Sequence, residues 1–311
     1  MMIDLTRLAL PHGITLSCRS AGKPGRPVLM FLHGFPEAAF VWDDLLLHFA
    51  QPENGGYRCI APNLRGFEQS SAPSDISAYR PKHLVQDIVA LIQTEGAPIE
   101  ALIAHDWGGA VAWNFAATQP QLIKKLAIIN SPHPGTFLRE LLHSPAQQAA
   151  SAYMNFLIRP DAEKLLAEQD FRRLFEFFMP FSDIKSQPGP KAHQNLRVAP
   201  AWLTEAVRAQ YRGVWQRGLT GALNYYRASP LRPGPELATL VIPPELLTVN
   251  LPTLVLWGMG DIALPPALLD GLGDYVPKMR LERIDGATHW VIHEQPELVT
   301  QHLQHFLHSV Q

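Results

Sequence analysis

The chain has 311 residues, of which 47% are hydrophobic and 17% are charged, and its formal net charge at pH 7 is -2. This composition is typical of a globular protein, and the nearly balanced charge argues against nucleic acid or a membrane surface as a partner. Cys18 and Cys59, the two cysteines, form no disulfide framework and match no zinc or redox motif. We therefore expect a cytoplasmic protein that binds small neutral molecules and carries no metal or cofactor.

Along the chain, apolar strands alternate with helices after a short hairpin predicted within residues 5–19. Such alternation predicts parallel crossover connections and a mostly parallel sheet covered by helices on both faces, an α/β fold. The predicted strands are residues 28–32, 58–61, 101–104, 126–129, 253–257 and 279–283, and the predicted helices are residues 82–94, 109–119 and 295–308.

The alternation is interrupted once, by a long helical segment without clear strands. Helices are predicted there at residues 162–178 and 201–215. The proline-rich joints that bound or divide the segment are residues 131–135, 186–190 and 228–235. We therefore predict a core domain formed by residues 1–134 and 231–311, with a helical cap domain of residues 135–230 inserted into it.

Asp106 follows a predicted strand directly and precedes a predicted helix, with Ala104 two positions before it and Gly108 two positions after it. Small residues at these positions are typical of a sharp strand-to-helix turn, which lifts the side chain at its tip above the sheet. Asp106 is therefore a candidate nucleophile. The alternative is a helix N-cap, a position at which aspartate is also favoured.

A nucleophile at such a turn needs backbone N–H donors for an oxyanion, one from the next residue and one from the loop after an earlier strand. The next residue is Trp107, and the segment HGFPE at 33–37 follows the strand predicted at 28–32. The amides of Phe35 and Trp107 are therefore the predicted oxyanion hole. The alternative for this segment is an ordinary turn.

A carboxylate and a histidine follow later strands in the order expected for such a site. Asp261 follows the strand predicted at 253–257, and His289 follows the last predicted strand. The order nucleophile, acid, histidine predicts that Asp261 orients His289, which acts as the base. Asp285 is a rival acid, but its position four residues before His289 gives it a less natural approach to the imidazole.

Taken together, these segments resemble the α/β-hydrolase superfamily, and its epoxide hydrolase branch in particular. The segments that carry the resemblance are HGFP at 33–36, NLRGFEQSSAP at 63–73, HDWGG at 105–109, Asp261, and THW at 288–290. The resemblance extends over nearly the whole chain. It implies the α/β-hydrolase fold with an inserted cap, and hydrolysis of a small apolar epoxide by water.

The resemblance also implies further site residues. In that branch two cap tyrosines hold the epoxide oxygen, which points here to Tyr153 in SAYMNFLIRP and to Tyr226 in GALNYYRASP, with Tyr225 as the fallback. It also places His33, Pro36, Trp107 and Tyr225 along the substrate site, and it implies a cis peptide bond before Pro36.

An aspartate nucleophile suits this chemistry because its ester with the substrate can be hydrolysed, whereas a serine would form an inert ether. The same residues leave a haloalkane or haloacetate dehalogenase as the alternative, with the Trp107 indole as a halide donor. However, Phe35 cannot donate from its side chain, and Trp107 and Ala110 stand where fluoroacetate dehalogenases carry arginine. A non-catalytic small-molecule receptor is the third possibility.

Overall fold

The computed structural model describes residues 2–179 and 198–309. Its centre is one eight-stranded sheet. The strands are β1 (Asp4–Ala9), β2 (Thr15–Ala21), β3 (Val28–Leu32), β4 (Arg58–Pro62), β5 (Ile99–His105), β6 (Ile123–Ile129), β7 (Thr253–Gly258) and β8 (Met279–Ile284). Every strand expected from the sequence is present; β3 has the predicted bounds, β4, β7 and β8 are one residue longer than predicted, and β5 and β6 are three residues longer.

The strand order is β1-β2-β4-β3-β5-β6-β7-β8. β1 and β2 form the predicted N-terminal hairpin, and β2 pairs antiparallel with β4. All the other neighbouring strands are parallel. Because parallel strands share one carboxyl edge, the residues that follow β3, β5, β6, β7 and β8 meet at that edge.

Helices cover both faces of the sheet, as predicted. They are α1 (Asp43–Ala50), α2 (Pro81–Glu95), α3 (Asp106–Thr118), α4 (Pro134–His143), α5 (Pro145–Ala150), α6 (Tyr153–Leu157), α7 (Ala162–Phe177), α8 (Glu205–Trp215), α9 (Thr220–Ala228), α10 (Val291–Glu294) and α11 (Pro296–His308). Within the described ranges, none of these helices is long and apolar enough to cross a membrane.

Alternate residues of the central strand β3 enter two separate cores. Met30 and Leu32 join the core that includes residues of α2 and α3, whereas Leu29 and Phe31 join the core that includes residues of α1 and α11. All four side chains are fully buried. This period-2 alternation of strand side chains gives the sheet a continuous apolar layer on each face, so the sheet is a rigid support for the loops at its edge.

Helices α4 to α9, which we call the inserted helices, lie in sequence between β6 and β7. Two predictions about them were wrong in detail. The helix predicted at 162–178 is interrupted, because residues 168–171 have non-helical backbone angles. The helix predicted at 201–215 begins at Glu205, where the hydroxyl of Thr204 caps it by accepting a hydrogen bond from the Val207 amide. The proline-rich joint predicted at 186–190 lies outside the described residues.

The inserted helices pack directly on loops of the sheet domain. A Cβ atom on Gly221 of α9 would lie 2.4 Å from the Cα atom of Gly66, so the two backbones touch. Beside this contact, the hydroxyl of Tyr225 donates a hydrogen bond to the backbone oxygen of Arg65 at 2.9 Å. Only glycine at both positions allows so close an approach, and the contact fixes α9 over the carboxyl edge of the sheet.

Candidate active site

Asp106 lies at the predicted strand-to-helix turn, between the end of β5 and the first turn of α3. Its φ angle of 49° is in the left-handed region, which non-glycine residues seldom adopt. The surrounding backbone is crowded, because a Cβ atom on Gly108 would lie 2.4 Å from the Leu32 oxygen and one on Gly34 would lie 2.4 Å from Asp106. The tight turn therefore needs these glycines and holds the Asp106 side chain above the sheet.

The two carboxylate oxygens of Asp106 have different surroundings. Oδ1 accepts a hydrogen bond of 2.7 Å from the Phe35 amide, whereas Oδ2 lies 3.5 Å from Nε2 of His289. Burial opposes ionisation, but the hydrogen bond with His289 and the charges of His289 and His105 outweigh it and lower the Asp106 pKa. Asp106 is therefore ionised, and its carboxylate bonds to another loop rather than capping α3.

His289 lies in the loop after β8, between the two carboxylates predicted to accompany it. Its Nδ1 is 2.7 Å from Oδ2 of Asp261, on the side of the ring opposite Asp106. Burial disfavours the imidazolium, but the charges and hydrogen bonds of Asp261 and Asp106 prevail and raise the His289 pKa well above its usual value. His289 is therefore an imidazolium between two carboxylates in the resting protein.

Asp261 rather than Asp285 is the carboxylate that contacts His289. Its side chain is fully buried, and its Oδ1 accepts hydrogen bonds from the amides of Ala263 and Leu264. Asp285, in contrast, is exposed. Asn130, which the sequence analysis missed, donates a hydrogen bond of 2.8 Å to Oδ2 of Asp261. These donors aim the carboxylate at the imidazole.

Tyr153 on α6 and Tyr226 on α9 meet above Asp106. Their ring centroids are 6.2 Å apart, and the two rings meet edge-on. Burial is the main cause of a raised pKa in both, and the charge of Asp106 raises it further. Both phenols therefore remain protonated near neutral pH, so each carries a proton that it can donate.

The structure separates the two neighbouring tyrosines of α9. The hydroxyl of Tyr225 donates a hydrogen bond to the Arg65 backbone oxygen, whereas the ring of Tyr226 packs edge-on against the ring of Tyr153. The half-buried Trp107 ring packs edge-on against both, with centroid distances of 5.5 Å to Tyr225 and 5.1 Å to Tyr226. Tyr225 therefore anchors α9 to the sheet domain, and Tyr226 is the tyrosine that faces Tyr153.

The prediction that His33 lines the substrate site was wrong. His33 is fully buried, and its two ring nitrogens bond to the Gly34 oxygen and the Leu64 amide. Burial is the main cause that lowers its pKa to about 4, so the ring is neutral. Both ring nitrogens are therefore engaged with the backbone and cannot bond to a substrate. His33 instead fixes the start of the loop. The peptide bond before Pro36 is cis, as the resemblance implied.

A buried carboxylate below the site was missed by the sequence analysis. Glu37 is fully buried, and its Oε2 lies 3.2 Å from Nδ1 of His105, whose Nε2 lies 2.9 Å from the backbone oxygen of His289. Its Oε1 accepts a hydrogen bond from Tyr211 at 2.8 Å and lies 2.6 Å from Nε2 of His293. Burial opposes ionisation, but the adjacent imidazoles prevail and lower the Glu37 pKa.

Comparison with known proteins places this arrangement in context. The model of the α/β-hydrolase fold family matches residues 27–296. The AB hydrolase superfamily protein YfhM of Bacillus subtilis is 34% identical over 95% of each chain. Epoxide hydrolase 3 of Xenopus tropicalis is 33% identical over 95% of this chain and 75% of its own.

A solved structure is similar throughout. The epoxide hydrolase of Bacillus megaterium, crystallised with an inhibitor, superposes with a TM-score of 0.84 at 29% identity, covering 98% of this chain and 100% of that one. The shared fold, the length of the matches and the identity to several epoxide hydrolases agree with one another. The chain is a hydrolase that belongs to the α/β-hydrolase fold family, within its epoxide hydrolase branch.

Proposed function

We propose that this protein hydrolyses a small apolar epoxide to a vicinal diol through a covalent ester on Asp106. The observation that carries the proposal is that an ionised Asp106 lies below two protonated tyrosines, Tyr153 and Tyr226, whose rings meet edge-on. A nucleophile and proton donors are what opening of an epoxide ring requires. The tyrosines come from the inserted helices, in accord with a cap domain of residues 135–230.

In the first half-reaction, Oδ2 of Asp106 attacks a ring carbon of the epoxide. The Phe35 amide binds Oδ1, so Oδ2 is the oxygen available for attack. The carbon–oxygen bond of the ring breaks, its electron pair moves to the epoxide oxygen, and Tyr153 or Tyr226 transfers a proton to that oxygen. The product is a hydroxyalkyl ester, and the tyrosine pair holds one negative charge until it regains a proton.

In the second half-reaction, His289 activates a water molecule that attacks Cγ of the ester. Formation of the ester removes the negative charge of Asp106, which is one of the causes of the raised His289 pKa. The imidazole can then lose its proton and act as a base, oriented by Asp261. The negative charge develops on Oδ1, where the Phe35 amide, and by prediction the Trp107 amide, stabilises it. Collapse of this intermediate releases the diol.

Halide release is less well supported by the same geometry. A departing halide needs several N–H donors, and the side chain of Phe35 has none. The Trp107 indole, which would be one donor, packs edge-on against the rings of Tyr225 and Tyr226. A pair of phenols matches an alkoxide better than a halide, because an alkoxide must gain a proton on leaving. The dehalogenase alternative is therefore the second choice, and a non-catalytic receptor is the third.

The test is a single turnover of the wild-type protein with excess enzyme over styrene oxide in water labelled with ¹⁸O. We expect the diol to contain no label and the label to appear in Asp106, because the oxygen added to the substrate comes from the carboxylate. Label in the first diol would mean direct attack by water. A parallel assay with a bromoalkane measures halide, and rapid halide release without diol from any epoxide would favour the dehalogenase.

A further inference from the structure

Helix α8 makes two polar contacts with the loop that carries the Phe35 amide. We call residues 34–37 the oxyanion loop. The indole Nε1 of Trp215 donates a hydrogen bond of 2.7 Å to the backbone oxygen of Pro36, and the hydroxyl of Tyr211 donates one of 2.8 Å to Oε1 of Glu37. Trp215 and Tyr211 are almost completely buried, so neither contact is screened by water.

These contacts lie immediately beside the amide that bonds to Asp106. Phe35 donates to Oδ1 of Asp106 at 2.7 Å, and the next residue is the one that α8 holds. A buried carbonyl deprived of its donor is left without a hydrogen-bond partner, and the loop would have to shift to regain one. The Pro36 carbonyl lies two peptide units after the Phe35 N–H, so a shift of this carbonyl displaces the short loop and misdirects the Phe35 amide.

The Trp215 indole also has a packing role that can be separated from its hydrogen bond. Its ring stacks on Tyr211 with a centroid distance of 5.3 Å and an interplanar angle of 19°, and it packs edge-on against Phe175 at 4.8 Å. A phenylalanine at position 215 keeps an aromatic ring in this cluster but has no N–H group. The change Trp215→Phe therefore removes the contact with the loop and preserves most of the packing.

We propose that Trp215, assisted by Tyr211, is a positioning residue for the hydrolytic half-reaction, because it fixes the direction of the Phe35 amide. This inference rests on the proposed epoxide hydrolase mechanism. The oxyanion on Oδ1 exists only while water attacks the ester, so a misdirected amide slows ester hydrolysis more than ring opening. Loss of a whole oxyanion donor costs roughly a hundredfold to a thousandfold in rate, and a displaced donor costs part of that.

The experiment measures both half-reactions by rapid mixing of the full-length protein with styrene oxide, followed by quenching and intact-protein mass spectrometry. For Trp215→Phe we expect ester hydrolysis to slow by about tenfold or more, with ring opening changed by less than about threefold. The covalent ester then becomes the main species during steady-state turnover. The variant Tyr211→Phe is also expected to slow ester hydrolysis more than ring opening.

Trp42→Phe is the matched control, because Trp42 is a fully buried tryptophan whose indole nitrogen has no hydrogen-bond partner among the described residues. It should leave both rate constants near those of the wild type. Wild-type rates in Trp215→Phe and Tyr211→Phe, or equal slowing of both steps, would overturn the proposal. If Trp215→Phe does not fold, Tyr211→Phe decides alone. Failure of the proposed mechanism itself is distinguishable, because the wild type would then form no ester.

Discussion

The triad and the tyrosine pair are held in place by different physical means. Asp106, Asp261 and His289 follow strands of one sheet and are linked by charge-assisted contacts, the shortest being 2.7 Å between His289 and Asp261. Tyr153 and Tyr226 come from separate inserted helices and remain neutral, held by aromatic packing against each other and against neighbouring rings. The sheet edge therefore supplies fixed charge, and the inserted helices supply neutral donors.

This difference predicts two kinds of response to substitution. Removal of a triad member leaves a buried charge without its partner and abolishes a chemical step, so the effects should be large and specific to one half-reaction. Removal of one phenol leaves the other in place, so the loss should be partial. The experiments below test that contrast, beginning with the largest expected effect.

His289→Gln should stop the reaction after the first half. Turnover is expected to fall by at least about a thousandfold, because no base remains to activate water. Ring opening needs only Asp106 and the tyrosines, so an intact-protein mass shift equal to that of the epoxide should appear and persist. Asp106→Asn is the control and should show no adduct. Normal turnover by His289→Gln would show that another residue is the base.

Tyr153→Phe and Tyr226→Phe should each slow ring opening by about a hundredfold, which corresponds to about 3 kcal/mol in the barrier. Tyr225→Phe is the matched control in the same helix, because the Tyr225 hydroxyl bonds to the Arg65 backbone instead. It should lower stability more than it affects the intrinsic rate of ring opening. If Tyr225→Phe slowed ring opening and Tyr226→Phe did not, Tyr225 rather than Tyr226 would be the second proton donor.

Asn130→Ala should reduce turnover by about tenfold to a hundredfold, since a lost hydrogen bond to a charged group costs about 1.5–3 kcal/mol when it is not replaced. Asn130 donates to Asp261 and accepts from the Gly258 amide, and its φ angle of 39° suits asparagine better than alanine. Asn130→Asp tolerates this backbone angle but places a second carboxylate beside Asp261. Both variants should slow ester hydrolysis, and unchanged turnover in both would remove Asn130 from the site.

The pKa of His289 should fall when Asp106 loses its charge. Asp106→Asn serves as a neutral stand-in for the ester, and an NMR titration of labelled histidine compares it with the wild type, with His289→Gln used to identify the signal. A raised pKa in the folded state means that the imidazolium stabilises the wild type below the unfolded-state pKa, and that this stability is lost as pH rises through the folded-state pKa. An unchanged pKa would refute the link between ester formation and release of the base.

The sheet and the charged residues could be predicted because each depends on local sequence. β3 contains only apolar residues, and Asp106 and Asp261 each closely follow a strand that is mostly apolar. Parallel strands share a carboxyl edge, so the position of a residue after its strand predicts which others it approaches. The structure accordingly brings Asp106, Asp261 and His289 together.

The residues that were missed depend on contacts between distant parts of the chain. Glu37 meets His105 and Tyr211 across 68 and 174 residues, and Asn130 meets Asp261 across 131. No sequence pattern of period 2 or 3.6 encodes such pairings. His33 was misassigned for a related reason, because its burial and its two backbone partners become evident only in the folded chain.

The contact between Gly66 and Gly221 has a consequence for how substrate range can change. Neither glycine can accept even one carbon atom without moving a backbone, so the spacing of α9 from the sheet cannot be tuned by choice of side chain there. The position of α9 relative to the sheet is therefore fixed on that side of the site. Selection or engineering for larger or smaller substrates can instead act on α7, where the ring of Phe177 packs against Tyr153 at 5.8 Å and the side-chain volume of Phe177 can be exchanged.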